Sequence, residues 1–97
     1  MIRHCVTLTF SPDATTEQLA AVEAGLATLP GAIDTIRAYS YGLDLGLAEG
    51  NASFVVVGDF ASVADYQNYR DHPAHQEIVT TTIRPILVGR SAVQYEY

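Results

Sequence analysis

Lysine and tryptophan are missing from this sequence, and cysteine and methionine occur once each. The basic charge therefore rests on five arginines against 11 acidic residues, and the formal net charge is −6. A protein that binds nucleic acid through its phosphates needs a clustered basic surface. Because the arginines are scattered along the chain, we expect no nucleic-acid partner.

Long hydrophobic runs are absent as well. No apolar segment approaches the roughly 18 residues of a membrane-spanning helix, and His4 and Thr7 interrupt any signal-like apolar run near the first residue. Cys5 has no second cysteine to pair with, and a lone cysteine is typical of a small buried side chain in a reducing compartment. We therefore expect a cytoplasmic protein with no membrane partner.

The length and composition together indicate one small domain, part of whose apolar surface needs a ligand or a partner subunit to cover it. The 97 residues allow a single domain, residues 1–97, with one modest core. Hydrophobic residues make up 48% of the chain, and charged residues only 16%, which is below the usual quarter. So little charge predicts that some apolar surface meets a pocket or a partner subunit.

Hydrophobic periodicity predicts four strands and three helical segments. The predicted strands are residues 2–10, 32–42, 53–60 and 86–96, and the predicted helices are 16–29, a helix capped by Ser62, and 74–83. Thr15 and Gln18 form a capping box before the first helix, and Pro30-Gly31 is expected to end it. His72-Pro73 breaks the second helix, because proline disfavours helical geometry in the residue before it.

The order β-α-β-β-α-β predicts an α+β, ferredoxin-like subunit with an antiparallel sheet and its helices on one face. The third strand is apolar on both faces, which places it in the middle of the sheet. Val55 and Val57 then need a cover on the face without helices. In a chain this short, a second copy of the chain is the simplest cover, so we expect a homodimer.

The segment Asp65–His75 contains the side chains that are best suited to catalysis. A histidine with an ordinary pKa of about 6.5 can take up or release a proton near neutral pH, which makes His75 a candidate base. The Tyr69 hydroxyl could donate to an oxygen that gains negative charge. Structural interpretations compete: His72 can cap the preceding helix, Tyr69 can be a core aromatic, and His4, on an apolar strand face, can be either a core or a pocket residue.

Metal and cofactor sites find little support in the sequence. His72 and His75 are three residues apart beside Asp71, but the proline between them disfavours a regular helical pair and no third ligand is evident. The glycines at 42, 46 and 50 are not followed by the start of a helix, as a phosphate-binding loop requires. We expect neither a metal nor a cofactor.

Three segments resemble a known family. The opening Ile-Arg-His-Cys-Val-Thr-Leu-Thr-Phe, the Leu-Pro-Gly after the first helix and the later Tyr-Arg-Asp-His-Pro-Ala-His are similar to the Dabb family, the stress-responsive A/B barrel domain. The resemblance covers essentially the whole chain. It implies a ferredoxin-like subunit whose sheet packs against that of its twin, which forms a dimeric α+β barrel.

The resemblance also implies a chemistry. Family members that resemble olivetolic acid cyclase close a linear poly-β-keto thioester by aldol condensation, with the second histidine of His-Pro-Ala-His as general base and a tyrosine six residues earlier assisting it. The matching residues here are His75 and Tyr69, and the cyclase histidine on the first strand is matched by His4. The substrate-binding residues implied or expected are His4, Val6, Leu8, Phe54 and Val56.

The sequence departs from the cyclases at two places. Phe54 stands where they have a further pocket histidine, and the first helix has small residues where they have bulky aromatics: Ala20, Ala21, Ala24, Gly25 and Ala27. The substrate of the cyclases therefore cannot be assigned to this chain. Three hypotheses stay open: a polyketide cyclase-like enzyme without a cofactor, a non-catalytic dimer that binds a small apolar or phenolic ligand, and a cofactor-free monooxygenase.

Overall fold

The chain folds into one sheet with helices on one face, as a computed structural model of residues 1–97 shows. The elements are β1 (Ile2–Phe10), α1 (Thr16–Ala32), β2 (Ala38–Leu43), β3 (Phe54–Phe60), α2 (Val63–Asp71), α3 (Pro73–Ile78) and β4 (Leu87–Glu96). A π-helical turn, Val79–Ile83, and a 3-10 turn, Arg84–Ile86, connect α3 to β4. None of the helices has both the length and the apolar character that a membrane-spanning segment requires.

The sheet confirms the predicted ferredoxin-like α+β class. Its four strands are antiparallel in the order β2-β3-β1-β4. The valine-rich β3 lies inside the sheet, as its apolar character on both faces predicted. Val6 at the middle of β1 is in register with Val56 on one side and Ala92 on the other, so these residues share the face that meets the helices.

The core lies between this sheet face and α1. Alternate residues of β1 and β3 point into it, and α1 contributes one apolar stripe with helical spacing. Full burial of one such side chain stabilises the fold by roughly 1.5–3 kcal/mol. The buried hydrophobic residues of these three elements are Val6, Leu8, Phe10, Val22, Leu26, Leu29, Phe54, Val56 and Phe60.

Helix α1 begins as predicted but ends later. Thr15 Oγ1 accepts from the Gln18 backbone N–H at 3.1 Å, and Gln18 Oε1 accepts from the Thr15 N–H at 2.9 Å, which confirms the capping box. The predicted end at residue 29 is wrong, because α1 continues through Pro30 to Ala32. Proline removes one N–H but has a helical φ, and the fully buried Ile33 still donates its N–H to the Leu29 carbonyl at 2.9 Å.

The predicted start of the second strand is also wrong. The strand begins at Ala38, six residues after the expected residue 32. Ile33 is buried, and Ile36 packs against the core from the connecting segment. Their hydrophobic character therefore reflects tertiary burial and not strand pairing.

The opposite face of the sheet keeps apolar side chains at the surface. Val55 is 39% exposed and Val93 is 56% exposed. At one end of this face, Arg3 forms a two-pronged ion pair with Asp59, Nε to Oδ1 at 2.8 Å and Nη2 to Oδ2 at 2.9 Å. This ion pair holds the pKa of Asp59 below its ordinary value. The face is therefore part apolar and part charged.

Candidate active site

A cavity of about 260 Å³ opens between the helix-facing side of the sheet and helices α2 and α3. This volume lies just below the roughly 300–1,000 Å³ of most ligand pockets, so it suits a small molecule. Six of the residues predicted for the site line it: His4, Val6, Leu8, Val56, Tyr69 and His75. The seventh, Phe54, does not line this cavity and packs in the core beside Phe10 and Tyr41.

The break between α2 and α3 places His75 at the cavity wall. In an unbroken helix, the Arg70 carbonyl would accept from the Ala74 N–H. Here the Ala74 N–H donates instead to Nδ1 of His72 at 3.1 Å. The Arg70 carbonyl is therefore free, and it accepts from His75 Nδ1 at 3.0 Å and from Gln76 Nε2 at 2.7 Å.

The bond to Arg70 determines where the His75 ring carries its proton. A carbonyl oxygen only accepts hydrogen bonds, so His75 Nδ1 must be the protonated nitrogen. In the neutral ring, Nε2 then carries the lone pair. Burial lowers the pKa of His75 below its ordinary value of 6.5, and the nearby Arg90 charge adds to this effect, while the bond to the Arg70 carbonyl opposes it. Burial thus favours the neutral ring, in which Nε2 carries the lone pair.

Tyr69 is a hydroxyl donor next to this base. Its ring centroid lies 4.3 Å from that of His75, and its hydroxyl oxygen lies 2.8 Å from the hydroxyl oxygen of Tyr39. Burial raises the pKa of Tyr69 to about 12, so the phenol keeps its proton at neutral pH. One hydrogen bond between two hydroxyls uses one of their two hydrogens. When Tyr39 donates, the Tyr69 hydrogen is available to a ligand.

His4 lines the same cavity from the sheet. His4 as a residue is 5% exposed, and its Nδ1 lies 2.9 Å from Nε2 of Gln94 on the neighbouring strand β4. With the amide placed in this orientation, Gln94 donates and His4 carries its proton on Nε2. Burial, followed by the charges of Arg90 and His75, lowers the pKa of His4 to about 4. His4 is therefore both a buried histidine with a hydrogen-bond partner and a residue of the pocket wall.

His72 has a structural position. Its backbone N–H donates to the Tyr69 carbonyl at 3.2 Å, where α2 ends, but its ring caps the following helix α3 and not the preceding one. The Nδ1 atoms of His72 and His75 are both bonded to backbone groups. No three His, Cys, Asp or Glu side chains lie close enough together to hold a metal ion.

Several cavity residues were not predicted from the sequence. Tyr39 reaches the cavity from β2 and Tyr66 from α2, while Arg84 and Arg90 lie on the 3-10 turn and β4. Arg90 is in register with Leu8, so it shares the helix-facing side of the sheet. The alternation of Arg90, Ala92 and Gln94 in β4 is the signal that could have identified it.

Comparisons with known proteins agree with this architecture. The model of the Dabb family, the Stress responsive A/B Barrel Domain, matches residues 2–97. A dimeric ferredoxin-like protein of unknown function from Thermobifida fusca is 38% identical, covers 99% of this chain and 90% of its own, and superposes with a TM-score of 0.91. No curated protein is significantly similar in sequence.

Two more distant structures share the fold alone. A dimeric ferredoxin-like protein of unknown function from Bacteroides fragilis is 23% identical, with 99% of this chain and 95% of that one covered and a TM-score of 0.83. A hydroxynitrile lyase from Passiflora edulis is 20% identical, with 97% and 90% covered and a TM-score of 0.83.

Proposed function

The chain belongs to the stress-responsive A/B barrel domain family, and on this premise we propose that it is an enzyme without a cofactor in which His75 is the general base. The observation that carries the proposal is the bond from His75 Nδ1 to the Arg70 carbonyl, because it leaves Nε2 basic at the wall of a small apolar cavity. The fold itself is common to several chemistries, so the chemistry depends on the residues of this site.

Aldol-type ring closure of a poly-β-carbonyl compound is the reaction that the site supports best. His75 Nε2 removes a proton from a carbon that lies between two carbonyl groups, and an enolate forms. The enolate carbon then attacks another carbonyl carbon of the same molecule, which forms the ring bond and an alkoxide. The imidazolium returns its proton to this alkoxide, so the base is regenerated. General base catalysis of this kind contributes about 10²–10⁴-fold.

Tyr69 supports the enolate in this proposal. A buried phenol with a pKa of about 12 does not lose its proton at neutral pH, so it donates a hydrogen bond to the enolate oxygen. The hydrogen bond between the Tyr39 and Tyr69 hydroxyls holds this group in place, and when Tyr39 donates it, the Tyr69 hydrogen is free for the enolate. A preorganised donor in a site with little water stabilises developing charge more strongly than water does. Nδ1 of His4 accepts a hydrogen bond from Gln94. The Nε2–H of His4 therefore remains free to donate to the substrate and position it.

We also propose that the chain works as a homodimer. The sheet face opposite the helices exposes Val55 and Val93. Two proteins with the same fold, from Thermobifida fusca and Bacteroides fragilis, are described as dimeric. A second copy packed sheet to sheet would cover these valines and form the barrel that the family description names.

Turnover of poly-β-carbonyl thioesters by three variants tests the catalytic proposal. We expect His75→Gln to lose about 10²–10⁴-fold in kcat and Tyr69→Phe to lose about 10²–10³-fold, with circular dichroism spectra unchanged. Tyr41→Phe is the matched control, because Tyr41 lies on β2 but not at the cavity. Product is measured by liquid chromatography with mass detection.

Three outcomes would contradict the proposal. Full turnover by His75→Gln would remove the base from the mechanism. Tight binding of every thioester with no product from the wild type would favour a non-catalytic ligand-binding dimer. Oxygen consumption during turnover would favour the monooxygenase hypothesis, whose fold is represented among the solved structures by an antibiotic biosynthesis monooxygenase that is 13% identical, with a TM-score of 0.81.

A further inference from the structure

The cavity has a charge opposite to that of the protein. The chain has 11 acidic residues and a net charge of −6, yet no Asp or Glu lines the cavity, while three of the arginines do. These are Arg70, Arg84 and Arg90. The cavity mouth is therefore a local positive region in an acidic protein, and such a region attracts anions.

Two of these three arginines have no carboxylate partner. Arg70 is paired with Asp71, Nε to Oδ1 at 2.8 Å. Arg84 and Arg90 take part in neither of the two ion pairs of the structure. Their guanidinium groups are thus available to an incoming group, whereas the charge of Arg70 is largely neutralised.

The positions of Arg84 and Arg90 fit a ligand with an apolar body and a charged end. Arg90 is in register with Leu8 of β1, and Leu8 and Val6 form part of the apolar wall. Arg84 lies in the turn that leads into β4. The charge of Arg90 also reaches the two cavity histidines, since it lowers the pKa of both His4 and His75.

We propose that the substrate of this site is an acid: a small, largely apolar poly-β-carbonyl compound that carries one carboxylate, held by Arg84 and Arg90. The inference rests on the proposed function, because it assigns the charge of the molecule that His75 acts on. A guanidinium presents its N–H groups in a planar fork that matches a carboxylate. The small cavity volume restricts the ring system that forms from the substrate to about one or two rings, so a planar aromatic acid is a suitable binding probe.

Two probes that differ only in charge test the proposal. 2-Naphthoate and its neutral analogue 2-naphthamide have the same ring system, and their binding is measured by calorimetry near pH 7. We expect the carboxylate to bind at least about tenfold more tightly and to lose most of this preference when the salt concentration is raised. Binding of the amide should not depend on salt.

Variants then assign the preference to particular residues. We expect the double variant Arg84→Gln/Arg90→Gln to bind 2-naphthoate and 2-naphthamide with equal affinity, within about twofold, and to bind the amide as the wild type does. Arg37→Gln is the matched control, since Arg37 is exposed, unpaired and outside the cavity; it should keep the preference.

The failure of this inference is distinguishable from failure of the proposed function. Equal affinity of the wild type for the two probes, or a preference that survives in the double variant, would overturn the acid substrate whether or not His75 is the base. The His75→Gln variant should still prefer 2-naphthoate, because the arginines and not His75 hold the carboxylate; loss of the preference in that variant would also overturn the inference.

Discussion

A histidine ring has two nitrogen atoms, and the three histidines of this protein use Nδ1 in different ways. Nδ1 of His4 accepts from Gln94, and Nδ1 of His72 accepts from the Ala74 N–H, so in both rings Nε2 is the nitrogen that bears a hydrogen. Nδ1 of His75 donates to the Arg70 carbonyl. Only His75 therefore has a basic Nε2, and this distinction, more than proximity to the cavity, selects it as the base.

The low pKa of His4 has a consequence for stability. Its pKa falls from 6.5 to about 4 on folding, so the unfolded chain binds the proton first as the pH drops. The stability contribution of the neutral ring is full above about pH 6.5 and is lost as the pH falls towards about 4. When the pH falls from about 7.5 to about 5, we expect the titration of His4 alone to lower the free energy of unfolding by about 2 kcal/mol.

Urea unfolding at both pH values measures this contribution. The His4→Gln variant cannot titrate and keeps a polar side chain opposite Gln94, so its free energy of unfolding should fall less than that of the wild type. His75 shifts in the same direction but is present in both proteins. An equal loss in wild type and variant would show that His4 is protonated at the same pH in both states.

At the level of elements, α1 and α3 approach each other at a glycine. A Cβ on Gly25 would lie 2.8 Å from Ile78 Cδ1 and 3.0 Å from its Cγ2. Alanine gains about 1 kcal/mol over glycine in a helix, but overpacking costs about 1–3 kcal/mol. We expect Gly25→Ala to destabilise the protein by about 1 kcal/mol.

Gly31 is the matched control in the same helix, because no atom lies within 4 Å of the Cβ it would gain. Gly31→Ala should be neutral or stabilise by up to about 1 kcal/mol. Ile78→Val removes Cδ1, so the cost of Gly25→Ala should shrink in that background, which a double-mutant cycle from thermal unfolding measures. Strict additivity would argue against the contact.

The elements that could be predicted are those whose chemistry is local. The capping box at Thr15 and the break at Pro73 depend on residues within a few positions of each other, and both were found in the structure. The end of α1 and the start of β2 depend on the burial of Ile33 and Ile36 by distant parts of the chain, which sequence periodicity does not contain.

The residues of the candidate site also fall into two groups: those that local sequence predicts and those that depend on long-range contacts. His75, Tyr69 and His4 could be proposed from motif and strand alternation. Tyr39, Arg84 and Arg90 reach the cavity only through strand order and register, and these are long-range properties. Phe54 shares the helix-facing side with Val56 but does not line this cavity, because alternation does not tell how far along the sheet the cavity extends.

At the scale of the whole molecule, the proposed dimer depends on the uncovered face of the sheet. Val93 is 56% exposed on that face, and Val63, on α2, is 57% exposed. A charge buried without a partner in an interface costs several kcal/mol. We expect Val93→Glu to sediment as a monomer at micromolar concentration and Val63→Glu to sediment as a dimer, like the wild type.

Two results would contradict the sheet-to-sheet dimer. If the Val93→Glu variant is a dimer, the interface lies elsewhere on the molecule. If the Val63→Glu variant is a monomer, the interface lies on the helices. Circular dichroism of both variants shows whether the subunit remains folded, so that a monomer is not confused with an unfolded chain.

The acceptor that fixes the His75 proton is a main-chain carbonyl, and this affects how the site can change during evolution. Any amino acid at position 70 supplies the same oxygen, so substitution of Arg70 cannot by itself remove the acceptor. The placement of the proton is encoded instead by the interruption of the helix two residues before His75. Descendants of this sequence can therefore vary Arg70 and inherit the same placement of the proton, as long as they keep His75 and the interruption.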